Sequence, residues 1–210
     1  MSDAGASGRD PAIALVEFSS IAWGIVAGDA MVKASPIGSI YAGTVHPGKY
    51  LVLVSGDTAS VEEALIVGRH VGAATVVATV FLADVHPAVT GAIVSDDEAA
   101  WADGDALGIV ETAMVAAILD AADAGVKGAN VRVAAVRLAD GLGGKGYCLF
   151  SGEVAEVEAA VAAAVARAEP SGALLHHRII PQLHESMRHN LESDLRFRDR
   201  IVLRTVERTT

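Results

Sequence analysis

Three stretches carry residue types whose spacing could do chemistry. Gly43-Thr-Val-His-Pro-Gly48-Lys49 has the spacing of a glycine-rich phosphate loop. Such a loop needs Ser or Thr after its lysine to hold Mg²⁺, and it must open a helix whose N–H groups face the anion. Here Tyr50 follows the lysine, and the apolar run Tyr50–Val54 reads as a strand. Gly141-Leu-Gly-Gly144-Lys145-Gly146 resembles a dinucleotide turn but also leads into a strand, Tyr147–Phe150. Nucleotide binding is not expected at either. His184-Glu185-Ser-Met-Arg-His189 sets its histidines five apart rather than four, which turns the second off the helix face a zinc ion needs.

The remaining candidates are weaker still. His176 and His177 are adjacent, so their side chains diverge. Cys148 sits within an apolar run with no CxxC partner, and reads as a buried, inert thiol. No serine has a plausible elbow or base. No catalytic group and no metal or other cofactor is expected. Glu17/Glu111, Asp29/Asp123 and Lys33/Lys127 instead occur as pairs along the chain, and paired retention points to architecture. Asp29 and Lys33 are four apart and can pair on a helix, for a few tenths of a kcal/mol when exposed.

Those pairs belong to an internal repeat. Ala14–Ala34 overlays Gly108–Gly128 at an offset of 94 with 8 of 21 positions identical, and Gly48–Ala64 overlays Gly144–Ala160 at an offset of 96 with 9 of 17. The two-residue slip falls before the second Gly-Lys and marks a longer loop there. Leu82–His86 is echoed by Ile180–His184. Within the first copy, Ala12–Phe18 reads as a strand, and Ile21–Ala34 as a helix with apolar Ile21, Ile25, Gly28 and Val32 at helical spacing. Ile37–Val45 and Lys49–Ser55 read as strands around a Pro47–Gly48 turn. Asp57 or Thr58 can cap a helix running to about Gly72, and Thr75–Leu82 is a last strand. In the second copy, Val115, Ile118, Leu119, Ala122 and Val126 mark the first helix face, and Val154, Val157, Val161 and Val165 the second. Strand, helix, strand, strand, helix, strand is a split βαβ unit of ferredoxin-like type, an α+β fold present twice.

The organisation that follows is a disordered lead over 1–11, a first domain over 12–94, an acidic linker over 95–105, a second domain over 106–194 and an Arg-rich tail over 195–210. Leu183, Met187, Leu191 and Leu195, spaced by four, suggest a short helix near the end. Bulk properties narrow the function. The chain has 210 residues, 52% of them hydrophobic, and 16 basic against 26 acidic side chains, a formal net charge of −10. This excludes a disordered chain and argues against nucleic-acid binding. Residues 185–210 hold six Arg and five acids, a solvated mixed-charge segment rather than a nucleic-acid arm. The longest nearly apolar run, Val71–Ala83, is 13 residues, short of the roughly 20 a bilayer span needs, and no signal peptide is visible. A single cysteine fits a reducing, cytoplasmic setting. The excess of Ala, Val, Leu and Ile points to a large core or to apolar surface buried against other chains.

In order, and twice over, the motifs resemble the bacterial microcompartment shell domain: Leu15-Val-Glu17, Gly28-Asp-Ala-Met-Val-Lys33 and Ser55-Gly-Asp-Thr-Ala-Ser-Val-Glu62, then Gly108-Ile-Val-Glu-Thr, Ala121-Ala-Asp-Ala-Gly-Val-Lys127 and Ser151-Gly-Glu-Val-Ala-Glu-Val-Glu-Ala159. Together they look like the unpermuted tandem-domain type. The resemblance implies a homotrimer with the outline of a hexamer, tiling with other shell proteins around encapsulated enzymes, with a central pore for small metabolites. It implies that Thr44, Val45, His46, Pro47 and Gly48 line that pore with Asp140, Gly141, Leu142, Gly143 and Gly144, and that Lys33 and Lys127 lie at the tile edge. The family often has Arg where Asp84 and Gln182 stand, so edge contacts are expected to rest on other residues. The pore loops lack cysteine, so the iron–sulfur cluster of some tandem members is not expected. A ferredoxin-like trimeric regulator binding a small molecule between subunits is the alternative.

Overall fold

The computed structural model describes residues 11–94, 101–102 and 104–192. The expected lead before Pro11, most of the acidic linker and the Arg-rich tail lie outside the described residues. The first unit runs β1 (Ala12–Phe18), α1 (Ile21–Ala34), β2 (Ser39–Val45), β3 (Lys49–Gly56), α2 (Thr58–Gly72), β4 (Val76–Leu82) and α3 (Pro87–Val94). The second repeats it: β5 (Ala106–Thr112), α4 (Val115–Gly128), β6 (Arg132–Leu138), β7 (Gly146–Gly152), α5 (Val154–Ala168), β8 (Leu174–Ile180) and α6 (Glu185–Glu192). Each sheet is four-stranded and antiparallel, in the orders β2-β3-β1-β4 and β6-β7-β5-β8.

The period-two alternation of β1 sorts its side chains. Ala12, Ala14, Val16 and Phe18 face α1 and α2, in a core with Met31, Val52, Val54 and Val61. Ile13 and Leu15 face the other way, as do Leu107 and Ile109 of β5. Asp57 caps α2 by accepting the Ser60 N–H at 3.0 Å. Each terminal helix starts after a histidine: the His86 ring accepts the Ala88 N–H, and the His184 ring the Ser186 N–H. That shared role gives a physical reason for the echo of Leu82–His86 in Ile180–His184. Of these two helices only the second was expected. The slip between repeats is where the sequence places it: the turn of 46–48 becomes 139–145 in the second copy. An added bulge in β6, at Val133/Ala135, is offset by a shorter connection from α4.

Helix α1 has the expected bounds, and it buries one apolar stripe while exposing another. Its buried residues are Gly24, Ala27, Gly28 and Met31, whereas Ile21, Ile25 and Val32 are 41%, 53% and 39% exposed. The helix has two neighbouring apolar stripes. The one with small residues packs on β3, where a side chain at Gly24 would fall 2.6 Å from the Tyr50 ring. The bulky stripe faces outward. In α5 the expected face is buried at Val157 and Val161, while Val154 in the first turn is exposed.

The two units pack against each other through α4. It lies on the face of the first sheet opposite α1 and α2, and one core joins Ile13, Leu15, Leu51, Leu82 and Val85 to Val115, Ala116 and Leu119. The start of the second unit is pinned by α6. The Arg188 guanidinium lies 5.3 Å from the Trp101 ring centre and donates to the Gly104 carbonyl at 2.8 Å.

Candidate functional site

Two β-turns, one from each unit, converge at the same end of the molecule. In the first, the Gly48 N–H donates to Val45 at 2.9 Å, Gly48 has φ 96°, and the His46–Pro47 peptide is cis. In the second, Ala139 donates to Lys145 and Leu142 to Ala139, both at 2.9 Å, and Gly141, Gly143 and Gly144 have φ of 69°, 64° and 86°. Positive φ favours glycine, which eases the curl at these three positions, while Ala139 at the start of the turn takes φ 52° without that freedom. The turns touch. A Cβ at Gly144 would lie 3.0 Å from the Pro47 ring and 3.4 Å from the His46 carbonyl oxygen. His46 Nδ1 stands 3.7 Å from Asp140 Oδ1, and both side chains are well exposed.

The expected lining residues therefore split. His46, Pro47, Asp140 and Gly144 meet at the convergence, and Gly48 is exposed beside it. Thr44 is exposed at the end of β2, and Val45 packs on the core. Gly141 and Gly143 are exposed on the far turn. Leu142 turns away and lines an apolar groove of about 360 Å³ with Leu107, Ile109, Tyr147, Ile180 and Met187. This groove lies on the face of the second sheet opposite its helices. In the first sheet the equivalent face is the one that α4 covers.

Behind each turn stands a Lys–Glu pair that sequence reasoning missed. Lys49 donates to Glu17 at 3.1 Å, and Lys145 to Glu111 at 2.7 Å. The signal was present: both residues recur in both copies, and Glu17 faces Leu51 across β1 and β3, two residues along the strand from Lys49. The settings differ sharply. Glu17 is fully buried and also accepts the Ala116 N–H at 2.7 Å, at the start of α4. The Met114 cap offers no side-chain acceptor there, so an anion from the other unit meets the positive helix end. The Glu111 side chain is 28% exposed and has only Lys145 as a donor among the described residues.

Lys127 and Lys33 also differ. Lys127 bonds Asp123 and the Asp84 carbonyl, while the Asp123 carboxylate also accepts the His86 N–H. The pair thus spans the junction between the two units. Among the described residues Lys33 bonds only Asp29, and both are open to solvent.

No cluster of three His, Cys, Asp or Glu occurs among the described residues. The Cys148 thiol is fully buried, and burial pushes its pKa up, which disfavours the nucleophilic thiolate. No described helix is long and apolar enough to cross a membrane.

Comparison with known proteins accounts for both units. The BMC domain family matches residues 12–85 and again 106–183. The bacterial microcompartment shell protein PduT of Citrobacter freundii is 38% identical over 176 residues, covering 84% of this chain and 95% of that protein. The shell protein EutM of Salmonella typhimurium is 37% identical over 82 residues, 38% of this chain and 81% of its own. Among solved structures, a microcompartment protein from Desulfitobacterium hafniense superposes with a TM-score of 0.75 at 39% identity, covering 86% of this chain and 99% of that one. A fused permuted hexameric shell protein superposes at 0.56 with 17% identity, covering 80% and 88%, a likeness of fold alone.

Proposed function

The chain belongs to the BMC domain family as two such domains in tandem and is a structural shell protein; on that premise we propose that three copies close into a ring of six domains, a tile of a microcompartment shell with a metabolite pore on its axis. The observation that carries this reading is a contact made once within the chain and left open once. The open face of the first sheet is filled by α4. The same face of the second sheet is an apolar groove, and the helix equivalent to α4 is α1, whose Ile21, Ile25 and Val32 are exposed. Fully covering one such side chain stabilises by about 1.5–3 kcal/mol. Repeating the internal contact between chains fills the groove, covers α1, and closes after three copies without leaving a free edge.

The same geometry supports a pore lined by the two turns. In a ring of six, equivalent atoms of adjacent domains are separated by their distance from the axis. Residues that lie close to their own equivalents are therefore close to the axis. Gly48 corresponds to Gly144 and Pro47 to Gly143, and it is at Pro47 and Gly144 that the turns touch. The rim would carry His46 and Asp140 from each chain, with backbone amides between them, the kind of lining that sorts solutes by size and polarity. In this reading the tile performs no chemistry; it passes the substrates and products of encapsulated enzymes and tiles with other shell proteins. The regulatory alternative has no support in the comparisons.

Size-exclusion chromatography with light scattering and negative-stain imaging test the proposal. A trimer with a flat, ringed outline that joins sheets with shell partners is expected. A monomer at all accessible concentrations, or a trimer whose turns lie at its outer edge away from the axis, overturns it.

A further inference from the structure

The contact between the two domains is held by two polar groups as well as by its apolar core. One is the Glu17 carboxylate, bonded to Lys49 and to the first-turn N–H of Ala116. The other is Asp123, which accepts the His86 N–H while its neighbour Lys127 donates to the Asp84 carbonyl. By the register of the repeat, their equivalents are Glu111 with Lys145, and Asp29 with Lys33. The equivalents of Ala116, Asp84 and His86 are Ala22, Gln182 and His184. Every member of this second set is present, and each stands open. Glu111 has an oxygen without a donor among the described residues, and Ala22 is exposed in the first turn of α1, where no intrahelical acceptor exists. The Asp29–Lys33 pair is solvated, and Gln182 and His184 are exposed beside the groove.

We propose that Glu111 of one chain accepts the Ala22 N–H of a second copy, while its 182–184 turn docks on that copy's Asp29–Lys33 pair. This rests on the ring reading and names the polar groups that set its register. The apolar groove alone would accept α1 at several positions along its length. A carboxylate that must meet the positive end of the helix, and a backbone turn that must meet a pair two helical turns further on, accept one. Lys33 is then a residue of the seam between subunits. The seam is complete only when a second copy supplies its half.

The test uses the full chain and two substitutions that remove opposite halves of one hydrogen bond. Glu111→Ala removes the acceptor. Ala22→Pro removes the donor in the first helical turn, where no intrahelical bond is lost. Light scattering across a dilution series reads the association constant, and circular dichroism confirms that each chain is folded. Each substitution should weaken trimer formation roughly 10- to 100-fold per seam, the scale of a hydrogen bond to a charged group. The double variant should be no weaker than either single one, because both delete the same bond. Folded variants that form trimers as tightly as the parent overturn the inference while leaving the ring intact. Additive losses in the double variant overturn the pairing of these two groups. A parent chain that is monomeric throughout overturns the ring reading itself. If Glu111→Ala does not fold, Ala22→Pro and the substitution Asp29→Asn, which weakens the second contact, carry the same comparison.

Discussion

Helix α4 buries nine of its fourteen residues and helix α1 only four of its fourteen, although the two are equivalent elements of one repeat. Both pack one face on their own sheet. What differs is the opposite face: α4 has the first domain's sheet against it, and α1 has solvent. The lesson is that a domain interface within one chain can serve as a template for the interface between chains. It shows in advance which side chains will be covered and which polar groups will be matched.

The sharpest way to break that comparison is to place the same charge on the equivalent positions Leu119 and Ile25. Leu119 is fully buried in the filled seam, whereas Ile25 is 53% exposed. Leu119→Asp buries an unpaired carboxylate, a change that exceeds about 4 kcal/mol and is expected to abolish folding. Ile25→Asp should alter the stability of the isolated chain by less than about 0.5 kcal/mol while abolishing the trimer. Circular dichroism and light scattering read the two effects separately. If Ile25→Asp leaves the trimer intact, α1 is not the subunit interface.

The next comparison sets Glu17 against Glu111. Glu17→Ala strands Lys49 and the Ala116 N–H in a buried site and should cost about 3–5 kcal/mol. In the monomeric chain Glu111→Ala should cost under about 1 kcal/mol, since its pair with Lys145 is partly solvated. Thermal unfolding at dilutions that favour the monomer measures both. Equal losses would mean that the internal seam contributes nothing to holding Glu17.

A third comparison lies within the cores, where the two copies fill the same space from different elements. In the first domain Met31 reaches over Gly68, and a Cβ on that glycine would come within 2.5 Å of the Met31 sulfur. In the second domain the position equivalent to Met31 is Gly125, and the room is taken by Phe150 from the strand. Gly125→Ala would place its Cβ 2.4 Å from the Phe150 ring, an overpacking worth about 1–3 kcal/mol. Phe150→Val, the residue the first domain carries at Val54, should relieve it in the double variant. Additive losses in urea unfolding would show that the two side chains do not compete for one space.

These contrasts also show what local sequence can convey. The repeat, the two helices of each copy and a cap at Asp57 or Thr58 follow from spacing and residue type, because they are decided within a turn or two of chain, and the structure selects Asp57. Which stripe of α1 enters the core is not legible from spacing, because periodicity finds two apolar stripes and cannot rank them. Sterics can: Gly24 and Gly28 permit close approach to β3, and Ile21 and Ile25 do not. Helix α3 escaped notice because eight residues starting at Pro87 carry little periodicity, although the echo of His86 in His184 marked it. The meeting of the two turns followed only from the resemblance to a family. Their proximity depends on how α4 seats against the first sheet, which no single segment encodes.

The smallest expected effect separates the N-termini of α2 and α5. Asp57 caps α2 through the Ser60 N–H, and its equivalent, Glu153, makes no side-chain cap on α5. Glutamate is one methylene too long to turn back on its own first turn. The Asp57 carboxyl is held below its ordinary value, chiefly by the Ser60 hydroxyl and next by the Ser60 N–H. Because the folded value is the lower one, the contribution of this cap is fully present above the ordinary carboxylate range. It is lost as the pH falls through the folded value. Asp57→Asn keeps an acceptor that does not titrate. The parent should therefore lose stability relative to this variant only in acid, with the two curves parallel at neutral pH. Glu153→Asp should install the missing cap and raise the Tm by up to about 4 °C. Parallel curves down to the acid limit, or an unchanged Tm for Glu153→Asp, would show that the two helix ends do not differ in the way their caps imply.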